Sequence, residues 1–421
     1  MIVPLSADSQ QPGLVLRGGR VLKSGGRRPE RLDIAITRGG SIARLAPSID
    51  CRPDVPVADI SDRLVTAGLV DIHQHLDKTR TRQLLTNADS SLQGAIAAFQ
   101  KFQLTASRKD ILMRARQTVE ACIARGTVAI RTHVNVGPNA GLRGIEALAE
   151  LRESMKDRVR LQIVAFLSRE AGCSPDSAAH WLDAAVAAGA DCVGGAPAHA
   201  DDADAFLDIV FDVADRRDVS IDLHVDEHLD STAHRIRSVI ERTLAGGLQK
   251  RVVAGHCSAL GALPRTQAAT LIEKLALAKI SIVTLPAANL YLLGRDVDCL
   301  PPRGLTRVKD LIAAGIPVAA GSDNIQDAFV PVGTGDLLET ARWTVLAGHL
   351  DASDLGAAFR MITTAPAAMM NLEGYGIHEG SRADLLIADA EDEEDMVASG
   401  PVDRTVLFAG KVVSGRLTMI S

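Results

Sequence analysis

Apolar and polar positions along this chain follow two different rhythms. Near the N-terminus, residues 14–17, 20–22, 32–36 and 41–45 are short alternating runs separated by glycine-rich turns, which predicts β-strands. The same texture returns at 384–388, 404–407 and 411–413. Two β-rich ends around a central body predict one small β-sandwich domain built from 1–66 and 377–421. The acidic stretch 391–395 inside the second half reads as a solvated connection.

Between those ends, apolar strands alternate with helical periods. Strand one is the stretch from Gly68 to Thr79, and the following strands are expected at 127–134, 160–166, 190–194, 220–225, 251–256, 281–285 and 317–321. Helical periods fall at 91–104, 110–124, 142–155, 177–188, 202–215 and 232–245. Eight βα units in a row predict an α/β fold in which residues 67–376 form a parallel (β/α)8 TIM-type barrel.

Alternation within the strands assigns their faces. In strand five, Ile221, Leu223 and Val225 share one face, and Asp222, His224 and Asp226 share the other. In strand two, Val128, Ile130 and Val134 oppose Arg131, His133 and Asn135. The apolar sets should meet the helices. The polar sets should then point into the barrel near its C-terminal mouth, where barrel enzymes keep their chemistry.

Composition narrows the class. The chain has 421 residues, long enough for a barrel plus an accessory domain. Hydrophobic residues make up 47% and aromatic residues 3%, so aliphatic side chains carry the packing. A net charge of −6 without a long basic run argues against a nucleic-acid groove or an anionic membrane surface. Residues 1–11 have neither the basic region nor the apolar core of a signal peptide, and no apolar run reaches transmembrane length. The six cysteines are scattered without a CxxC pair, which fits reduced thiols in a cytoplasmic protein. We expect a small-molecule partner and assembly as a homo-oligomer.

Candidate chemistry sits at the strand ends. His73 and His75 lie two apart on strand one, which would put two imidazoles on one side about 7 Å apart along the chain. His224 and Glu227 end strand five, His256 ends strand six, and Asp323 follows strand eight. Taken singly, each of these residues reads better as a core histidine, a turn residue or a surface carboxylate. Together they form an N/O set suited to Zn²⁺ or Fe²⁺, with a position left for water. Glu227 lies beyond the strand, where it can shuttle a proton without ligating the metal.

The segments HQHLDKT (73–79), RTHVNV (131–136), HVDE (224–227), GHC (255–257) and SDNIQDAFVPVGTGDLLE (322–339) resemble the amidohydrolase superfamily, in its cytosine deaminase-like branch. The sequence GSRADL (380–385) is similar to that family's return into its sandwich domain. The resemblance implies His73, His75, His224 and Asp323 as ligands of one divalent metal, and Glu227 as acid and base. It also implies that His256 orients the water and polarises the substrate. Strand four has no lysine to bridge a second metal, so one metal per chain is expected.

Departures from that branch bear on the substrate. Cytosine deaminases follow strand three with a glutamine that grips the pyrimidine's amide edge, and this chain reads Phe166-Leu167-Ser168-Arg169-Glu170. Asn324 replaces a second aspartate, and Phe329 replaces a tryptophan. Asp77-Lys78 and Ser322-Asp323-Asn324 are closer to the N-isopropylammelide amidohydrolases, which nonetheless lack a glutamate at the position of Glu227. Ser168, Asn324 and Phe329 are therefore the expected substrate contacts. Arg169 or Lys78 could meet an anionic group on a larger ring. His133 is open between a role at the site and packing, and His180, His199, His228, His234, His349 and His378 are assigned none.

A dinucleotide loop, a GK[ST] phosphate loop and the HxE…PCxxC deaminase signature are all absent. The expected activity is metal-dependent deamination of a small N-heterocycle other than cytosine, with water activated at the metal and ammonia released. The enzyme alternative is hydrolysis of an N-alkylamino-triazine or a cyclic amide. A non-catalytic binding protein is disfavoured because the four ligands and Glu227 are all retained.

Overall fold

In the computed structural model, residues 12–26, 28–87, 89–168 and 174–420 are described. Eight parallel strands pair in chain order: Leu69–Gln74, Thr127–Val136, Arg160–Leu167, Cys192–Gly195, Ser220–Val225, Val252–His256, Ser281–Thr284 and Val318–Ala320. An isolated parallel bridge between Gln74 and Asp323 joins the last strand to the first. At this seam the Asp323 amide donates to the His73 carbonyl at 2.8 Å. Beneath it, buried Asp71 accepts from Ser322 Oγ at 2.5 Å and from Gln74 Nε2 at 2.7 Å. Burial pushes the Asp71 carboxyl up to about 6 against those hydrogen bonds.

Strand faces follow the alternation. Ile221, Leu223 and Val225 join Val128, Ile130 and Val134 in the apolar core shared with the helices. Arg131, His133, Asp222 and His224 are buried inside the barrel. Arg131 Nη1 meets Asp222 Oδ2 at 2.8 Å, and its guanidinium also binds Gln162 Oε1. A buried charge pair needs such supporting hydrogen bonds to offset its desolvation.

Both chain ends combine in one mixed nine-stranded sheet. The runs expected at 14–17 and 20–22 are one strand, Pro12–Val21, whose register shifts between Leu16 and Gly19. Gly18, at φ +77°, absorbs that irregularity. Two short strands, Val57–Asp59 and Thr418–Ile420, pair with each other and have too few alternations to be read from sequence. Leu16, Ile34, Ile36, Val65, Ile387 and Leu407 give this sheet an apolar core of its own.

Two expectations are corrected. The acidic stretch is not simply a solvated loop, because Glu393–Ser399 is a helix. Asp392 caps it by accepting from the Glu394 and Asp395 amides, and acidic side chains suit the positive end of a helix. Asp226 does not point into the barrel mouth. Its backbone turns left-handed at φ 51°, and its carboxylate accepts from the Arg235 and Ile236 amides instead. The helix Ile236–Ala245 accordingly begins four residues later than its periodicity suggests.

Among the described residues, no helix is long and apolar enough to cross a membrane. Arg404 ties the terminal sheet to the barrel. Its guanidinium is bidentate to Asp336 at 2.8 and 2.9 Å and donates to the Arg125 carbonyl at 2.6 Å. Arg404 is almost fully buried, so Arg404→Ala removes the cationic partner of Asp336 and the donor to the Arg125 carbonyl. We expect a loss of about 3 kcal/mol, read as a lower urea midpoint with an unchanged m-value. A midpoint within error of wild type would show that the pair contributes nothing.

Candidate active site

The barrel mouth gathers every ionisable residue singled out at the strand ends. Strand one stops at Gln74, so His73 is its penultimate residue and His75 lies in the following turn. The Lys78 and Thr79 amides both donate to the His75 carbonyl, which holds that turn. His73 Nε2 lies 3.2 Å from His224 Nε2, and His75 Nε2 lies 3.1 Å from the same atom. Asp323 Oδ1 stands 3.3 Å from His75 Nε2 and 3.8 Å from His73 Nε2. His256 approaches the same carboxylate from strand six, with Nε2 4.0 Å from Oδ2.

Small residues and strained backbone permit this convergence. A Cβ at Gly321 would sit 2.8 Å from His73 Cβ, so only glycine lets strand eight pass the first histidine. His256 and Asp323 have φ of 64° and 59°, left-handed conformations that L-residues rarely adopt. Each costs on the order of 1–3 kcal/mol, a strain typical of functional sites.

Burial sets the protonation states. His73, His75 and His224 are held well below the usual imidazole range, chiefly by desolvation. His256 is lowered to about 4 for the same reason, although the Asp323 charge opposes the shift. The Asp323 carboxyl is pushed up to about 6 by burial, with His256 and Lys78 pulling it down. Glu227 is raised well above the carboxylate range, first by burial and then by the charge of Asp323. With neutral imidazoles, the close His–Asp approaches are not ion pairs.

The donor set fits a divalent cation. Both Asp323 oxygens and His256 Nε2 are buried with no hydrogen-bond partner, a costly arrangement when nothing lies between them. His73, His75 and His224 offer ligand atoms that lie within 4.8 Å of one another, as do His73, His256 and Asp323. A tetrahedral site with Zn–N of about 2.0–2.1 Å has nitrogen–nitrogen edges of about 3.3 Å. The separations of 3.1 and 3.2 Å lie close to that edge.

His133 packs beneath this cluster, its ring 4.0 Å from that of His73 and its Nε2 3.6 Å from Asp222 Oδ1. These two residues and His73 could also hold an ion by spacing, but Arg131 already occupies Asp222. A guanidinium there opposes a second cation.

Above the cluster opens a cavity of about 180 Å³. Glu227 and His256 line one wall, with Glu227 Oε1 3.6 Å from His256 Nδ1. The expected contacts Ser168, Asn324 and Phe329 all line it. Ser168 Oγ is buried and unpartnered. The Asn324 amide donates to Asp327 Oδ2 at 2.7 Å, and the same aspartate accepts from the Phe329 amide. Arg169 lies outside the described residues.

The structure adds wall residues that sequence did not single out. Helix Leu92–Gln103 contributes Gln93, Ile96, Phe99 and Gln100, so amide groups enter from the first loop rather than after strand three. Gln93 and Gln100 fall seven apart, and Ile96 between them belongs to the same helical stripe, which was the available signal. His199 also lines the cavity from the segment after strand four. Lys78 is buried at the wall, with Nζ 2.7 Å from Asn135 Oδ1 and 4.7 Å above the Phe99 ring.

Comparison with known proteins agrees with this geometry. A family model described as the amidohydrolase family matches residues 88–414. The chain is 33% identical over 390 residues to a pterin deaminase of Rhizobium rhizogenes, covering 92% of this chain and 89% of that protein. It is 30% identical over 370 residues to an N-isopropylammelide isopropyl amidohydrolase of Pseudomonas, covering 84% and 87%. A structure of 5-methylcytosine deaminase from Klebsiella pneumoniae liganded with 5-fluorocytosine superposes with a TM-score of 0.88 at 27% identity. That match covers 96% of this chain and 97% of the other. A barrel whose mouth holds a His/Asp cluster suited to a divalent metal, matched along nearly its whole length, places this chain in the amidohydrolase family of carbon–nitrogen hydrolases.

Proposed function

We propose that this protein is an aminohydrolase that replaces an exocyclic amino group on a small N-heterocycle with a carbonyl oxygen and releases ammonia. The observation that carries this reading is that one cavity joins a buried His/Asp donor set to Glu227, whose carboxyl burial raises well above the usual range.

His73, His75, His224 and Asp323 would hold one divalent ion, Zn²⁺ or Fe²⁺. When bound, such an ion lowers the pKa of the attacking water toward neutrality. The protein's own groups do the rest. Glu227 gives its proton to the ring nitrogen beside the amino-bearing carbon, which makes that carbon electrophilic. His256 turns its Nε2 edge toward the cavity, where it meets the charge that develops on the attacked centre. Asp323 passes one proton of the water to the leaving amine, and the other returns to Glu227 as the carbonyl forms. Ile96, Phe99 and Phe166 give the cavity an apolar wall, and its volume of about 180 Å³ leaves room for a ring rather than a polymer.

The similarity to pterin deaminase favours a fused, oxo-bearing ring, and Lys78 at the wall suits an oxygen that carries partial or full negative charge. The similarity to the isopropylammelide enzyme supports a second reading, loss of an alkylamine from a triazine. An ammonia-release assay separates them, because free ammonia supports deamination and an alkylamine supports the second. A bound heterocycle without turnover would overturn both.

Metal content is expected at about one Zn or Fe per chain, given one complete donor set and no bridging lysine on strand four. Elemental analysis giving two per chain would contradict that count. Glu227→Gln keeps side-chain size, so its metal content should persist while turnover falls roughly 10²-fold or more. His224→Ala should lose metal and activity together. Near-wild-type rates for Glu227→Gln would remove the proton-shuttle role.

The substrate expectation concerns selectivity. A site built to hydrogen-bond one ring edge rejects a ring that leaves its polar groups unpaired. Across a panel of aminopyrimidines, aminotriazines and pterins, cytosine should therefore be poor. A cytosine kcat/KM near 10⁵ M⁻¹s⁻¹ or above, on the usual enzyme scale, would sink that reading of the pocket.

A further inference from the structure

The segment after strand seven carries a residue that the proposed chemistry leaves unexplained. Asn289, on the short helix Pro286–Leu292, is fully buried, and its Nδ2 lies 3.0 Å from His256 Nδ1. A neutral imidazole has one N–H and one lone pair, so whatever meets Nδ1 decides which edge carries the hydrogen. We propose that Asn289 is a positioning residue that donates to His256 Nδ1 and thereby keeps the imidazole hydrogen on Nε2, facing Asp323 and the cavity.

The surroundings of the ring decide the orientation of the Asn289 amide. Turned the other way, the amide oxygen would require a hydrogen on Nδ1. The bare lone pair of Nε2 would then face the Asp323 carboxylate, 4.0 Å away. Two electron-rich edges would oppose each other in a desolvated site, where such repulsion is strongest. With the amide nitrogen on Nδ1, an N–H points toward the carboxylate instead. The other groups near the ring fit this arrangement. Glu227 Oε1 is 3.6 Å from Nδ1, and the His224 and His73 rings lie 5.0 and 5.8 Å away by centroid. Burial raises the Glu227 carboxyl, which favours the neutral form that makes no demand for a hydrogen on Nδ1.

The consequence rests on the deaminase reading given above. An Nε2–H aimed into the cavity donates a hydrogen bond to oxygen or nitrogen on the attacked centre, and a bare Nε2 cannot. Asn289 also occupies the ring edge through which His256 and Glu227 would otherwise exchange a proton. The two groups can then act on different atoms of the substrate.

The test uses the full chain labelled with [¹⁵N]histidine, with and without zinc, and His256 is assigned by its absence from the His256→Gln spectrum. In the wild type, His256 should show a bare Nδ1 and a protonated Nε2. In Asn289→Asp the carboxylate accepts from Nδ1, so the tautomer should reverse. Its kcat should fall roughly 10²-fold, while KM and zinc content stay within about twofold of wild type. A wild-type His256 protonated on Nδ1, or an Asn289→Asp spectrum identical to wild type, would overturn the proposal. Should Asn289→Asp not fold, the wild-type spectrum decides alone. Absence of turnover with every heterocycle would count against the deaminase reading, and the spectrum would still decide the tautomer.

Discussion

Desolvation at the barrel mouth governs the arrangement of this molecule. Four imidazoles and two carboxylates are gathered at this largely buried mouth, and burial is the first cause of every pKa shift among them. Desolvation lowers the histidines toward neutral rings that offer lone pairs, and it raises the Glu227 carboxyl. One physical effect thus favours both a candidate ligand set and a candidate acid. Separate sequence devices for the two tasks are unnecessary. What remains unsatisfied is the Asp323 carboxylate, whose two bare oxygens call for a cation.

The barrel carries the cost of holding that cluster. Its seam is built from polar bonds: Asp71 to Ser322 and Gln74, and the Asp323 amide to the His73 carbonyl. These bonds place a ligand from strand one against a ligand from the end of strand eight. Left-handed backbone at His256 and Asp323 then turns both side chains inward where an extended strand would carry them past the axis. Beneath them, the Arg131–Asp222 pair fills the barrel interior with opposed charges, so the donor groups of His73, His75, His224, His256 and Asp323 are the better candidates for an ion.

The donor cluster and the cavity wall are drawn from different elements. The proposed ligands come from strand ends, which the barrel holds in place. The cavity wall comes from the helix Leu92–Gln103, from Ser168 after strand three and from the loop that carries Asn324 and Phe329, which are the ring contacts we propose. Loops tolerate substitution that strands do not. The chain is similar to proteins named for pterin, N-isopropylammelide and 5-methylcytosine substrates.

Much of this was legible before any coordinates. The two periodicities assigned the barrel, the terminal sheet and the buried faces of strands two and five, because side-chain direction in a strand depends only on backbone geometry. The ligand and proton-shuttle candidates were legible too, since imidazoles and carboxylates at apolar strand ends have few bland explanations once there are four of them. The first helix was predicted, but not the side on which Gln93 and Gln100 meet the cavity. Asp226 escaped the alternation because a single left-handed residue breaks it, and Asn289 lacked any signal because its partner lies 33 residues away. Local sequence determined which elements form and which chemistry they carry. Only the closed barrel decided which side chains touch, because those contacts depend on strand register and on backbone turns that no local pattern encodes.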